Sequence, residues 1–86
     1  MPQISTFYGI IIYMYWREHN PPHFHAEYQG SKVAIDINTL TVIEGSLPRR
    51  GINLVLDWAE IHKDELLKNW DLCQMKQHPN KIDPLA

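Results

Sequence analysis

Only one cysteine, Cys73, occurs in 86 residues. An internal disulfide is therefore excluded, and with it a disulfide-stapled secreted scaffold. A lone thiol suits a reducing compartment, so a soluble cytoplasmic protein is expected. Long apolar runs are missing too. The longest, Gly9 to Trp16, falls far short of the roughly 20 residues needed to cross a bilayer, and no basic targeting segment stands before it. Basic charge is not in excess: 8 Lys and Arg against 10 Asp and Glu give a net charge of -2. That balance argues against wide electrostatic wrapping of nucleic acid and leaves room only for a local basic patch. Repeats, linkers and low-complexity tracts are absent, and the chain is too short to bury a second core, so residues 1–86 are read as one domain.

Aromatic residues, by contrast, are plentiful. Three tryptophans and four tyrosines need a core or a partner to cover them. Histidine is concentrated: Glu18-His19-Asn20-Pro21-Pro22-His23-Phe24-His25 gathers three of the five histidines around a diproline.

The run Ile10 to Trp16 is β-branched and aromatic throughout, and it reads as a strand over 10–16 covered on both faces. The diproline imposes an extended, stiff connection. His23 to Tyr28 then alternates, with Phe24, Ala26 and Tyr28 on one face and His23, His25 and Glu27 on the other. Lys32 to Ile37 alternates in the same way. A two-residue Gln29-Gly30 turn joins strands 23–28 and 32–37 so that Phe24 meets Ile35, Ala26 meets Val33, Glu27 meets Lys32 and His23 meets Asp36. A four-residue loop would instead bring Asp36 opposite His25. An Asn38-Thr39 turn leads into a strand over 40–44, pairing Ile35 with Val42 and placing Thr41 and Ile43 beside Asp36 and Ala34. The expected sheet is a four-stranded antiparallel meander.

Beyond Gly45, Ser46 is suited to cap a helix and Pro48 to occupy its first turn. Ile52, Val55, Leu56, Ala59, His62, Leu66, Trp70 and Cys73 recur at helical spacing. A helix over 48–77 would be about 45 Å long, against roughly 20 Å for the strands. It should overhang, with Trp70 covering a partner, or break into a helix pair near Lys63-Asp64. The class is α+β, with the helix or helix pair packed on one face of the sheet.

His23 and His25, two apart on a strand, point the same way with Cα atoms about 6.5–7 Å apart. Three readings of the cluster stand side by side. The imidazoles could be ordinary polar surface. With His19 they could ligate a divalent metal, since neutral imidazole suits zinc, nickel or iron. Or, with no cofactor, His23 and His25 could serve as acid and base at a ribose 2′-hydroxyl, with Asp36 orienting His23. Arg49 and Arg50 in the first helical turn could hold a phosphate or stand as solvated charges. Cys73 has no base beside it and His62 falls on the buried helical face, so neither is read as a chemical site.

Several stretches also resemble one family. Pro2-Gln3-Ile4-Ser5 with Phe7-Tyr8-Gly9-Ile10, the run His19 to Ala26, Ile35-Asp36-Ile37, Glu44 to Arg49 and Glu65 to Trp70 are similar to the bacterial domain of unknown function 4160. That resemblance carries no activity. It implies a component of a two-gene module of the toxin–antitoxin kind, paired with a small cognate protein. As a toxin, the chain would be expected to act on RNA through a ribonuclease-like site of His23, His25 and Asp36, with Arg49 and Arg50 on the phosphate. As an antitoxin, it would use its sheet face and the helix around Trp70 as partner surfaces. The alternatives are a metal-binding module of His19, His23 and His25, and a structural homodimer through a sheet face bearing Ile11, Tyr13 and Ile43.

Overall fold

Antiparallel strands run in simple meander order and two helices close one face, so the α+β class and the helix pair hold. The computed structural model describes residues 2–86; Met1 lies outside them. The strands are β1 (Gln3–Phe7), β2 (Ile10–Tyr13), β3 (His23–Tyr28), β4 (Ser31–Asp36) and β5 (Val42–Gly45), followed by α1 (Arg49–Ile61) and α2 (Lys63–Gln74). Five strands replace the expected four, because the polar Ser5-Thr6 hides a strand that Tyr8-Gly9 turns back onto β2. The strand expected over 10–16 accordingly ends at Tyr13.

The β3–β4 hairpin follows its turn chemistry. Gln29 and Gly30 both take positive φ, 49° and 84°, the twist that a two-residue turn needs to match its strands. The resulting register is His23 with Asp36, Phe24 with Ile35, Ala26 with Val33 and Glu27 with Lys32. The next hairpin departs from expectation. Ile35 faces Val42, but Ala34 faces Glu44, so Ile43 is bulged out of the ladder. Val42 was expected on the apolar face, yet it and Ile43 are 45% and 47% exposed, because β5 is the sheet's uncovered edge.

Gly45 holds that edge in place. Its φ is +77°, and a Cβ built there would lie 2.2 Å from the Lys32 carbonyl oxygen. Gly45→Ala combines a left-handed residue with a backbone clash. It should lower stability by at least about 2 kcal/mol, seen as a lower urea midpoint at unchanged slope. A midpoint equal to the wild type's would mean that the β4–β5 approach is looser than described.

The helices bury one stripe each: Gly51, Val55, Trp58 and Ala59 from α1, and Leu66, Asn69, Trp70 and Cys73 from α2. These are the i, i+4, i+7, i+8 and i, i+3, i+4, i+7 spacings of an amphipathic helix on a core. They meet Ile4, Phe7, Ile10, Ile12, Phe24, Ala26, Val33 and Ile35 from the sheet and Met14 just beyond β2. The break falls at His62, one residue before the expected Lys63-Asp64. Ser46 does not cap α1; its amide donates to Lys32 O, and Pro48 stands at the N-cap. Neither helix is long and apolar enough to cross a membrane.

The last residues fold back as a strap. Ile82 is buried and its amide donates to Ile4 O, which covers the outer edge of β1. Asn69 exchanges two hydrogen bonds with the Asn80 backbone, and Trp58 Nε1 donates to Asp83 O at 2.8 Å. The buried polar groups of both helices are thereby satisfied.

Candidate metal centre

Because β3 alternates, His23 and His25 leave the core face together. The segment between β2 and β3 brings a third group to them. Arg17 donates its amide to Cys73 O, and Gln74 Nε2 donates to Glu18 O, so the segment is tied to the end of α2. The Asn20–Pro21 peptide bond is cis. The tether to α2 holds Glu18 over β3. His25 Nε2 lies 2.6 Å from Glu18 Oε1, His23 Nε2 lies 3.3 Å from Glu18 Oε2, and the three donor atoms are all within 4.8 Å of one another.

His23 is oriented from behind. Its Nδ1 lies 2.7 Å from the Pro21 carbonyl oxygen. A carbonyl only accepts, so Nδ1 carries the proton and, in the neutral ring, Nε2 presents its lone pair to Glu18. Metal-binding histidines are commonly fixed in this manner by a backbone carbonyl. The His23 ring also packs on Trp70, with centroids 5.2 Å apart. His25 stacks on Tyr13 at 5.3 Å and 11°, and Tyr15 meets it edge-on. Burial, reinforced by the neighbouring Tyr15 and Glu27, pushes the Tyr13 pKa from the ordinary phenol value up to about 12. Tyr13 is thereby buried beneath this cluster instead of lying on an open face as expected for a homodimer.

The other candidate residues are placed differently. His19 is exposed at the rim of the depression beside the cluster and is not one of its three close donors. Asp36 sits opposite His23 in register. Its Oδ1, however, accepts the amides of Asn38 and Thr39 at 2.8 and 3.0 Å, so the carboxylate closes its own turn. Arg49 and Arg50 are exposed in the first turn of α1. Arg50 lines a cavity with Tyr8 and Tyr28, at the far end of β3 from His23, a separation of roughly 16 Å along the strand. The histidines and arginines do not form one site.

Glu18 is the member of the cluster that periodicity and spacing did not single out. Its one signal in the sequence is position, a carboxylate at the head of the histidine–diproline run. The depression beside the donors has a volume of about 230 Å³, and its lining includes Glu18, His19 and Glu44 but no lysine or arginine. Lys32 stands in a neighbouring hollow of about 170 Å³ that shares His25, Ala34 and Glu44.

A family model described as Domain of unknown function (DUF4160) matches residues 9–71. No match is found among curated proteins or among solved structures.

Proposed function

Since the chain belongs to the family described as Domain of unknown function (DUF4160), whose description names no activity, we propose from the geometry of Glu18, His23 and His25 that it binds a divalent transition-metal ion. The observation that carries this reading is the facing of His23 Nε2 and Glu18 Oε2 at 3.3 Å. With Nδ1 already committed to Pro21 O, two lone-pair donors confront each other. A second proton on the ring or a cation between them relieves that. Two imidazoles and a carboxylate form a donor set used for zinc and for iron(II). At ligand bonds of about 2.1 Å, tetrahedral donors stand roughly 3.4 Å apart, so small side-chain rotations suffice. The carboxylates at the depression favour a cation over a phosphodiester, which is why metal binding stands ahead of RNA chemistry.

A second reading draws on the 2.6 Å contact between His25 and Glu18. In it, His25 is an acid–base group oriented by Glu18, the ribonuclease-like site of a toxin–antitoxin-like pair. This reading requires metal-stripped protein to cleave RNA.

Titration of chelator-treated protein with cobalt(II) and zinc separates the two. The expected result is one ion per chain, cobalt absorption bands in the visible that zinc displaces, and quenching of Trp70 fluorescence by cobalt through the neighbouring His23. Asp36→Ala should bind the same ion with unchanged affinity while losing about 1 kcal/mol of stability from its turn. Folded wild-type protein that takes up no metal from a large molar excess would end the metal reading.

A further inference from the structure

Strict alternation from the Ile35–Val42 pair would set Ile43 opposite Ala34 and turn Glu44 away from the histidines. The bulge at Ile43 prevents this: Glu44 becomes the partner of Ala34. A bulge sets two residues against one and re-aims the side chain that follows. Gly45 makes the arrangement possible by letting β5 approach Lys32 O, which also accepts the Ser46 amide at 3.1 Å.

Glu44 therefore shares a face with His25 and lines the hollows on both sides of it. Between the two stands Ala34, paired with His25 on one side and Glu44 on the other. Its methyl group floors a trough whose walls are the longer side chains. Two strand spacings separate the Cα atoms of His25 and Glu44 by roughly 10 Å, and both side chains line the same two hollows. Among the described residues the ion pairs are His23–Glu18, His25–Glu18 and His62–Glu65. Glu44 is in none of them, so no ion pair holds its carboxylate away from the trough.

Resting on the metal reading above, we propose that Glu44 is the general base for hydrolysis of a small uncharged ester or amide held in this trough. Three protein donors leave coordination positions open, as catalytic sites do and closed structural sites do not. A cation there would polarise the substrate carbonyl. With a divalent cation in place the charges of Glu18 and Glu44 balance it, so an uncharged substrate leaves the site neutral where a phosphate or carboxylate would not, and a depression of about 230 Å³ suits a small one. A water molecule gives one proton to Glu44 as its oxygen bonds to the carbonyl carbon. The bond from that carbon to the leaving oxygen or nitrogen then breaks, and Glu44 returns the proton to the leaving atom.

The test compares zinc-loaded full-length wild type with Glu44→Gln on 4-nitrophenyl acetate and 4-nitrophenyl phosphate. Zinc affinity is measured on both proteins by competition with a chromophoric chelator. The expected result is zinc affinity within about twofold, loss of kcat on the acetate on the order of 100-fold with KM little changed, and no turnover of the phosphate by either protein. Equal rates in the two proteins, a wild type no faster than free zinc, or turnover of the phosphate ester overturns the proposal. So does a loss of zinc affinity in Glu44→Gln, which would make Glu44 a ligand. Zinc bound without Glu44-dependent hydrolysis refutes this inference alone, whereas a wild type that binds no zinc refutes the metal reading beneath it.

Discussion

Glu18→Ala is expected to lower zinc affinity by at least about 100-fold while costing the metal-free protein only about 1–2 kcal/mol. Loss of a residue that merely orients a ligand weakens metal sites by about 10–100-fold, so loss of a ligand should exceed that range. The side chains of Glu18, His23 and His25 are 26%, 11% and 18% exposed, and a part-buried histidine–glutamate hydrogen bond of this kind contributes about 1–2 kcal/mol, less than the loss of metal affinity. Stability and metal binding should therefore separate cleanly. Zinc at 100 times its Kd adds about 2.7 kcal/mol to the native state, which for a domain of this size raises Tm by roughly 10–20 °C. Wild type should show that rise and Glu18→Ala should not. His19→Ala is the informative contrast, because His19 is exposed at the rim and outside the three close donors. It should keep most of the affinity. Loss of zinc binding in His19→Ala equal to that in Glu18→Ala would restore the His19, His23 and His25 set in place of the one proposed.

Trp58→Ala should cost about 3–5 kcal/mol, the range for removing a buried large aromatic side chain. Trp58 is fully buried, its ring 5.3 Å from Phe7, 5.9 Å from Phe24 and 5.4 Å from His62. It thus ties β1, β3 and the helix junction together. It also anchors the C-terminal strap through Asp83 O, and its loss leaves that carbonyl without its donor. Domains of this kind are stable by roughly 5–15 kcal/mol in total, so the variant should be partly unfolded at moderate temperature. Trp58→Phe keeps an aromatic ring and gives up the N–H. A smaller loss, about 1–2 kcal/mol, is expected from the missing hydrogen bond and the volume difference. Urea midpoints measure both. A change below about 1 kcal/mol in Trp58→Ala would contradict the packing of sheet, helices and strap around this ring.

Local sequence determined much of the scaffold. The Gln29-Gly30 turn admitted one close register, and the alternation of His23 to Tyr28 against Lys32 to Ile37 chose the faces, so the neighbouring positions of His23 and His25 followed from local pattern. The helical stripe from Ile52 to Cys73 was legible for the same reason: a period of 3.6 residues is written into neighbouring positions. The likeness of the His19–Ala26 run to its family was likewise legible, and it agrees with the match over residues 9–71.

Tertiary structure decided what those local patterns left open. Whether Ser5-Thr6 belongs to a strand depended on a partner strand and on the C-terminal strap that covers its edge. Asp36 was in register with His23, yet its carboxylate found nearer amides in its own turn. Arg50 lay at the wrong end of β3 to join the histidines. Glu18 reached them only because α2, far later in the chain, holds the preceding segment in place through Cys73 O and Gln74. Glu44 joined their face only because one bulge reversed the alternation of β5. Periodicity and turn chemistry are properties of adjacent residues and can be read from order alone. The convergence of Glu18, His23 and His25 depends on contacts between distant segments, and those exist only once the core has formed.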